Sequence, residues 1–351
     1  MDNLLYNIDT LSFTVRPLDF SLFIALYEKD LEETFQVARS TRSNAFIELA
    51  GVAFEMLPAS HKNYRYVLHN ESYELRIARE YDEDFDFSYP VYMTIRSAEL
   101  WVNGYAKAYD KAFKFLSSMF DIVATKISRL DHAIHINRAI DIDISPGIDT
   151  VCRTNIRHVW YDKSDITGYQ FGKSPILLRI YDKHKELLVS LKTWFSKIWL
   201  ENGFDVDKPI WNIEFQLRRQ FFVDRHIDTV EDALLALPEI HTYLTHKWFR
   251  VVVRDKKQKC VSRLKTVDWW QEVQQVFDNC TFRELKEKSK IPDSDHIFQT
   301  MQGYLISYAA FTDSQTIDEF ILNLTVDIKK MEAKKRTTFS RLALERRSLY
   351  E

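Results

Sequence analysis

The sequence predicts an α+β protein with a mainly antiparallel central sheet flanked by helices, followed by a C-terminal all-α unit. Short aromatic and β-branched runs separated by turn-like residues over 64–97 are typical of an antiparallel meander. Residues 98–120 carry apolar side chains at spacings of three and four, as a helix with one buried face does. Beyond residue 228 the pattern is almost wholly helical. We therefore predict an α+β domain of residues 1–227 and a helical unit of residues 228–351.

The remaining elements follow from the same two periodicities. A five-residue apolar and polar alternation predicts a strand near the start, and one or two helices follow it. Between the helix of 98–120 and the C-terminal unit, the chain alternates strand patterns with one further helical stretch. In chain order we predict a strand over 11–15, helix over 31–57, strands over 123–137, 167–172 and 176–181, a helix over 182–202 and a strand over 209–217.

Composition excludes several classes of protein. The chain has 351 residues, of which 46% are hydrophobic and 28% charged, as in ordinary globular proteins. The three cysteines, Cys152, Cys260 and Cys280, are widely separated and odd in number, so neither a disulfide framework nor a cysteine-ligated zinc site is indicated. No run approaches the roughly 20 apolar residues that span a bilayer. We expect a cytoplasmic protein without membrane contact.

Charge is distributed unevenly along the chain. The formal net charge is −3, which argues weakly against a protein that coats DNA, because such proteins usually have a basic surface. From residue 240 onward, however, there are 20 Lys and Arg residues and 15 Asp and Glu residues. If the protein binds nucleic acid, the last third of the chain is therefore the expected electrostatic anchor.

Polar side chains share one face on two of the predicted strands. Because successive side chains of a strand alternate between faces, Asp131 and His135 point to the same side, and so do Glu214 and Arg218. Carboxylates with an imidazole form a hard ligand set that suits Mg²⁺ or Mn²⁺. The alternative is that these acidic residues only pair with cations on neighbouring strands.

A tyrosine between two cations ends the strand over 176–181. Arg179, Tyr181 and Lys183 are spaced two residues apart, and Arg179 and Tyr181 share one face of the strand. A phenol has an unperturbed pKa near 10 and attacks as a nucleophile only with a cation or a base beside it. Arg179 could clamp a phosphate and Lys183 could act as a point charge. The alternative is that Tyr181 only packs its ring, and the Trp269–Trp270 pair is likewise either core or a base-stacking platform.

Four blocks follow one another along the chain: "DTLSFTV", "ISRLDHAIHI", "TGYQFGKSPILLRIYDKHKEL" and "IWNIEFQLRRQFF". The stretches "TYLTHKWFRVVV" and "DWWQE" come after them. In this order, over about residues 9 to 275, they resemble the Rep_trans replication initiation factors, a family of rolling-circle plasmid and phage initiators with related relaxases of integrative elements.

This resemblance implies a metal-dependent DNA nickase and strand transferase, in which a tyrosine attacks a phosphodiester at an origin, stays linked to the 5′ phosphate and frees a 3′ hydroxyl as primer. Tyr181 would be the nucleophile, with Arg179 and Lys183 as phosphate-contacting cations. Asp131 and Glu214 would bind Mg²⁺ or Mn²⁺. His135 departs from the family pattern, which commonly has a second Asp there, although imidazole also binds Mn²⁺.

The resemblance also implies partners and a division of labour. It implies a homodimer, a host helicase and DNA polymerase, and origin recognition by the more C-terminal part, so that the helical unit would serve DNA recognition or dimerisation. We assign DNA contacts to the basic residues Lys173, Arg218, Arg219, Lys256 and Lys257.

The sequence also allows two other interpretations of the function. The same scaffold could be a non-catalytic, sequence-specific DNA-binding initiator or regulator, or a structural module whose polar strands only pair with each other. Tyr161 and Tyr169 are alternative or second nucleophiles.

Overall fold

One antiparallel sheet of 11 strands organises the part of the chain that the computed structural model describes, which is residues 3–79, 88–140, 142, 147–190, 194–255, 257–258, 260–277, 305–306, 308–335 and 338–340. Its strands lie in the order β2-β3-β4-β5-β6-β1-β7-β12-β11-β10-β9, and a separate ribbon pairs β13 with β8. The strands are β1 (Leu4–Pro17), β2 (Ala45–Leu49), β3 (Val52–Met56), β4 (Tyr66–His69), β5 (Tyr73–Ile77), β6 (Val91–Ile95), β7 (Ile122–Ile136), β8 (Ile148–Cys152), β9 (Arg157–Asp162), β10 (Asp165–Lys173), β11 (Ile176–Asp182), β12 (Trp211–Arg218) and β13 (Phe249–Val253).

Helices flank this sheet, which confirms the predicted fold class. A π-helical turn, Tyr243–Trp248, links the last of the helices before β13 to that strand. The helices are α1 (Phe20–Thr41), α2 (Ser97–Asn103), α3 (Tyr105–Ser117), α4 (Lys183–Ser190), α5 (Trp194–Glu201), α6 (Arg219–Val223), α7 (Val230–Leu235), α8 (Leu237–Thr242), α9 (Asp268–Gln274) and α10 (Ile317–Lys335).

The long central strands β1 and β7 give the sheet two different faces. Phe13 and Val15 of β1 are fully buried, and the ring of Phe13 lies 5.5 Å from that of Tyr109 on α3. On α1, Phe35 packs against Tyr66 of β4 in the same way, at 5.9 Å. The opposite face of the same strands carries polar side chains, because strand side chains alternate. The helices α1 and α3 therefore cover the apolar face of one half of the sheet.

The periodicity predicted most elements, with two corrections in the first half. The helix expected over 31–57 ends at Thr41, and residues 45–56 form the hairpin of β2 and β3 instead. The chain reverses there through Ala50 and Gly51, whose φ angles of 48° and 77° suit a tight hairpin turn. The helix expected over 98–120 divides into α2 and α3 at Gly104.

The first compact unit extends well beyond residue 227. The chain divides into units of residues 1–286 and 287–351, whereas the sequence predicted the boundary at 227/228. The helices after β12 join the first unit because their apolar faces complete its core: Val230, Leu237 and Trp270 are all essentially fully buried. Helical periodicity alone does not tell a helix that packs on a sheet from a separate helical domain.

The second unit contains α10 among its described residues. Tyr308 donates a hydrogen bond to Asp327 of α10 at 2.8 Å, and its ring lies 6.0 Å from that of Phe320. Its predicted role in DNA recognition or dimerisation remains a prediction. None of the helices in the described parts of either unit is long and apolar enough to cross a membrane.

Three histidines of the first unit, His132, His135 and His241, are fully buried. His132 and His241 share a hydrogen bond of 2.9 Å, and both have lowered pKa values because burial disfavours the charged ring; that of His241 falls to about 4. His135 is fully buried against Trp101 and accepts a hydrogen bond from Trp199 at 2.9 Å. Burial lowers its pKa well below the usual value, and the nearby Lys183 adds to the effect.

We expect these histidines to weaken the fold as pH falls below about 6.5, because the unfolded chain then binds protons that the folded chain excludes. For each such histidine, the free energy of unfolding falls by about 1.4 kcal/mol per pH unit as the pH drops from the pKa of the unfolded chain to that of the folded chain. His135→Gln keeps a hydrogen-bond acceptor for Trp199, and its free energy of unfolding should depend less steeply on pH because one titrating histidine is lost. Urea unfolding from pH 7.5 to 5 checks this, and identical slopes for the two proteins would contradict it.

Candidate active site

Strands β7, β12 and β11 bring the predicted acidic and basic residues together on one face of the sheet. Glu214 lies directly opposite Arg179 in the register of β11 and β12, and Gln216, two residues further on, lies opposite Asp131 of β7. Asp131 and Glu214 are only 1% and 4% exposed. Two carboxylates are thus buried side by side, which requires cations or donors beside them.

Two arginines supply those cations. Arg129 Nε donates to Asp131 Oδ1 at 2.7 Å, and its Nη2 binds the other oxygen of the same carboxylate. Arg179 Nη2 binds Glu214 Oε1 and lies 3.9 Å from Asp131 Oδ2. The four groups form one charge network in which each carboxylate has an arginine partner.

The Tyr181 hydroxyl lies at the edge of this network, between a base and two donors. It donates to Glu214 Oε2 at 3.0 Å. It accepts from Asn212 Nδ2 at 2.9 Å and from Lys183 Nζ at 3.4 Å. An acceptor for the proton and two donors for a phenolate oxygen are the groups that activate a tyrosine nucleophile.

Lys183 contacts the phenol from the buried side. It is 1% exposed, and its ammonium group lies over the rings of Tyr181 and Phe195, at 5.4 and 4.8 Å from their centres. Glu186 pairs with it at 2.8 Å. The sequence predicted that Lys183 contacts a phosphate; in this arrangement its ammonium group is directed at the phenol oxygen instead.

Burial sets the proton affinities of the site. Burial raises the pKa of Glu214 to about 7, the Asp131 carboxylate adds to the rise, and Arg179 opposes it. The pKa of Asp131 is also raised, again by burial, against the opposing effect of Arg129. Burial and the Glu214 carboxylate together raise the pKa of Tyr181 well above 10. The tyrosine is therefore protonated at neutral pH, and Glu214 titrates near neutrality.

A third carboxylate belongs to β1. Asp9 lies at an irregularity in the pairing of β1 with β7, between Ile8 and Thr10. Ser97 and Trp101 of α2 donate to its Oδ1 at 2.8 and 2.9 Å. Its negative charge contributes to the raised pKa values of Asp131 and Glu214.

An open cleft of about 800 Å³ gives access to the network. Trp160 of the edge strand β9 forms one wall and is 40% exposed. Gly168 of β10 lies between Trp160 and Tyr181, since it pairs with Trp160 of β9 on one side and with Tyr181 of β11 on the other. A side chain at Gly168 would approach Trp160 to 2.9 Å and Tyr181 to 3.1 Å, so this position needs a residue without one. The cleft is lined by Asp9, Thr10, Arg129, Asp131, Trp160, Asp162, Thr167, Arg179, Tyr181, Asp182, Lys185, Glu186 and Glu214.

His135 does not join the acidic residues, contrary to the sequence prediction. It shares a face with Asp131, but four strand residues separate their Cα atoms by about 13 Å. Its ring stacks on Trp101 at 4.4 Å and accepts from Trp199, within an aromatic cluster that includes Phe195. The imidazole is therefore a core group rather than a metal ligand.

The residues present fit a divalent cation only in part. Among the described residues, no group of three His, Cys, Asp or Glu side chains is arranged to hold a metal ion. Asp131 and Glu214 nevertheless supply hard oxygen donors, and burial raises the pKa of both, so a cation would relieve their charge. Arg129 binds both oxygens of Asp131, and Arg179 binds Oε1 of Glu214.

The predicted DNA contacts are dispersed. Arg218 and Lys173 are exposed at the ends of their strands, and Lys257 is exposed in the loop after β13. Arg219 pairs with Asp228 and donates to the Ile127 carbonyl oxygen, so part of its role is structural. The remaining candidate, at position 256, lies outside the described residues.

The alternative nucleophiles differ sharply from Tyr181. Tyr169 is fully buried with its ring 6.1 Å from Trp211, which excludes it as an attacking group in this fold. Tyr161 is 61% exposed, but it follows Trp160 on β9 and so points to the face opposite the cleft. The two tryptophans 269 and 270 are buried, as the core interpretation predicted.

Four residues of the site were missed from the sequence. Arg129 lies two residues from Asp131, and Asn212 lies two residues from Glu214. Asp9 lies at the irregularity in the pairing of β1 with β7, and Trp160 is separated from Tyr181 by Gly168 of the strand between them. For Asn212 and Arg129 a signal existed, since both precede an assigned acidic residue by two and therefore share its face. Asp9 and Trp160 depend on a bulge and on strand pairing, which period two does not reveal.

The chain is similar to solved structures at low sequence identity. No protein-family model matches the chain, and no curated protein matches it. The solved structure of the rolling circle replication initiator protein from Geobacillus stearothermophilus is similar with a TM-score of 0.45 and 17% identity, over 77% of this chain and 95% of that one. Methanococcus jannaschii TBP is similar with a TM-score of 0.24 and 11% identity, over 68% of this chain and 95% of that one. At these levels neither likeness indicates a function for this chain.

Proposed function

We propose that the protein is a DNA nickase and strand transferase that initiates rolling-circle replication, with Tyr181 as its nucleophile. One observation carries the proposal: the Tyr181 hydroxyl contacts Glu214, Asn212 and Lys183 at 3.0, 2.9 and 3.4 Å beside an open cleft lined by Arg129 and Arg179. The order of four sequence blocks, which resembles the Rep_trans initiators, supports the same conclusion.

Glu214 acts as general base in this proposal. Its Oε2 already accepts a hydrogen bond from the phenol, and its pKa of about 7 suits a base that works at neutral pH. As the proton moves to Glu214, Asn212 and Lys183 stabilise the charge on the phenolate oxygen. Burial alone would oppose ionisation of Tyr181, so these contacts are needed to offset its raised pKa.

The phenolate oxygen then attacks the scissile phosphorus. A bond forms between Tyr181 and phosphorus, the bond from phosphorus to the 3′ oxygen breaks, and that oxygen leaves as a hydroxyl after taking a proton from water. Arg129 and Arg179 face the cleft and would neutralise the charge that develops on the phosphate oxygens. The product is a 5′ phosphotyrosine link and a free 3′ hydroxyl primer.

We propose that Asp131 and Oε1 of Glu214 would hold Mg²⁺ or Mn²⁺, which leaves Oε2 of Glu214 as the acceptor for the phenol. Such an ion would polarise a phosphate oxygen. The third group near the proposed cation site is the Asp9 carboxylate rather than the His135 imidazole, since the charge of Asp9 contributes to the raised pKa values of Asp131 and Glu214.

The partners are DNA at an origin, single-stranded or extruded at the nick, together with a host helicase and DNA polymerase. A homodimer and a cytoplasmic location complete the proposal, and the exposed Arg218, Lys173 and Lys257 are its candidate duplex contacts. These assignments rest on the sequence resemblance and on surface charge.

A non-catalytic initiator is the second candidate, and one observation favours it. The two carboxylates are already neutralised by Arg129 and Arg179, as in a purely structural charge network. Such a protein would bind origin DNA without forming a covalent link.

We expect Tyr181→Phe to abolish the covalent protein–DNA adduct while leaving DNA affinity within about twofold, because only the hydroxyl is lost. Denaturing gels with labelled single-stranded DNA from the locus that encodes the protein measure the adduct, and anisotropy measures binding. Tyr161→Phe is the matched control and should keep both. An adduct that persists in Tyr181→Phe would refute the assignment.

We expect the rate of nicking to rise with pH as Glu214 loses its proton, and a bound cation would shift this rise below the metal-free pKa of about 7. Glu214→Gln keeps the shape but removes the base, and it should lower the rate by about 10²- to 10⁴-fold. Single-turnover rates between pH 5.5 and 8.5 measure both effects. A flat profile with wild-type rates in the variant would rule out Glu214 as the base.

We expect EDTA to stop nicking and Mn²⁺ to restore it, with Asp131→Asn needing at least tenfold more Mn²⁺ because one hard oxygen donor becomes an amide. His135→Gln should need no more Mn²⁺ than the wild type, since the ring lies in the aromatic cluster. Nicking that proceeds at full rate in EDTA would show that the reaction needs no metal ion.

A further inference from the structure

The polar face of the sheet continues from the candidate active site across the strands of the first half. Arg76 of β5, Tyr92 of β6, Thr14 of β1 and Lys126 of β7 lie directly opposite one another in four successive strands. They form a single row across the sheet, which we call the basic aromatic row. All four side chains remain partly exposed, although α1 and α3 cover the other face of the same strands.

Aromatic rings and cations alternate along this row. The Arg76 guanidinium lies 4.9 Å from the ring centre of Tyr92, and the Tyr64 ring lies 5.9 Å from that of Tyr92. At the far end, Lys126 lies 4.5 Å from the ring centre of Tyr89. Partly exposed tyrosines between cations are the groups that stack on nucleobases and pair with phosphates.

The charge balance of the row is positive. Arg16 is exposed beside the same Tyr89 ring, at 6.0 Å, and adds to Arg76 and Lys126. The nearby carboxylate of Glu74 is held by Arg76, whose Nε donates to it at 2.7 Å. Among the described residues of the row, a polyanion therefore meets these cations and a neutralised acid.

The basic aromatic row adjoins the charge network of the candidate active site. Arg129 lies opposite Ser12, which is two residues from Thr14 on β1 and therefore on the same face as the pair of Thr14 and Lys126. The same Arg129 donates to Asp131 at 2.7 Å, and the positions of Arg129 and Tyr92 are close enough for the phenol to affect the pKa of the guanidinium. A strand of DNA with its phosphate at Tyr181 could therefore run past Arg129 onto the row.

We infer that the basic aromatic row binds the single-stranded DNA that flanks the cleaved phosphate, with Tyr92 and Tyr64 stacking on bases and Arg16 and Lys126 contacting phosphates. The inference rests on the proposed function for its direction along the sheet. Single-stranded DNA fits better than duplex because stacking on Tyr92 needs unpaired bases, which a duplex does not offer. The surface lies in the N-terminal half, whereas net charge alone favoured the last third of the chain.

The test measures oligonucleotide affinity in a Tyr181→Phe background, so that it does not depend on cleavage. With oligo(dT), Tyr92→Leu should weaken binding at least fivefold, and Tyr92→Phe should bind as tightly as the parent because its ring can still stack. Replacing both Arg16 and Lys126 by Gln should weaken binding and reduce the slope of log K against log salt by about 1.4. Lys107→Gln, on the exposed side of α3, is the matched control.

Three results would overturn the inference. These are unchanged affinity in Tyr92→Leu and the double Gln variant, an equal loss in Lys107→Gln, or a loss for duplex but not for oligo(dT). Circular dichroism of each variant checks that it is folded. If the protein fails to nick DNA but shows the expected affinities, the proposed function fails and this surface stands; if it nicks DNA but the variants bind normally, only the inference fails.

Discussion

Two carboxylates buried side by side on one face of the sheet constrain the rest of the site. Asp131 and Glu214 are held on neighbouring strands with almost no exposure, and the fold tolerates them because Arg129 and Arg179 lie against them. The same burial raises the pKa of Glu214 into the neutral range. A charge network that the fold needs for stability thus provides the base that the proposed chemistry needs, and Tyr181 lies at its edge.

The sequence predicted this network to a useful extent, because alternation along a strand is a local property. Asp131, Glu214, Arg179 and Tyr181 were assigned to faces by period two, and the antiparallel order β7-β12-β11 then brings those faces together. The fold class follows from equally local patterns. The hairpin at 45–56 was missed because its apolar residues also fit a helical spacing.

The parts of the site and fold that the sequence did not predict depend on contacts between residues that are distant in the sequence. His135 shares the face of Asp131 but lies under the aromatic cluster of Trp101 and Trp199, which strand alternation cannot reveal. Asp9 reaches the site through an irregular pairing of β1 with β7. The boundary at 227/228 was placed too early because helices that complete the core of a sheet have the same periodicity as helices of a separate domain. Register, bulges and docking of helices thus limit prediction from one sequence.

The most direct test of the account is to identify the atom that becomes linked to DNA. The protein is incubated with single-stranded DNA of its own locus and Mn²⁺, digested with protease and nuclease, and analysed by mass spectrometry. The account predicts a nucleotide 5′ phosphate on the peptide that contains Tyr181, next to the base Glu214 in the fold. A nucleotide on Tyr161, or no linked peptide while the DNA remains bound, would contradict it.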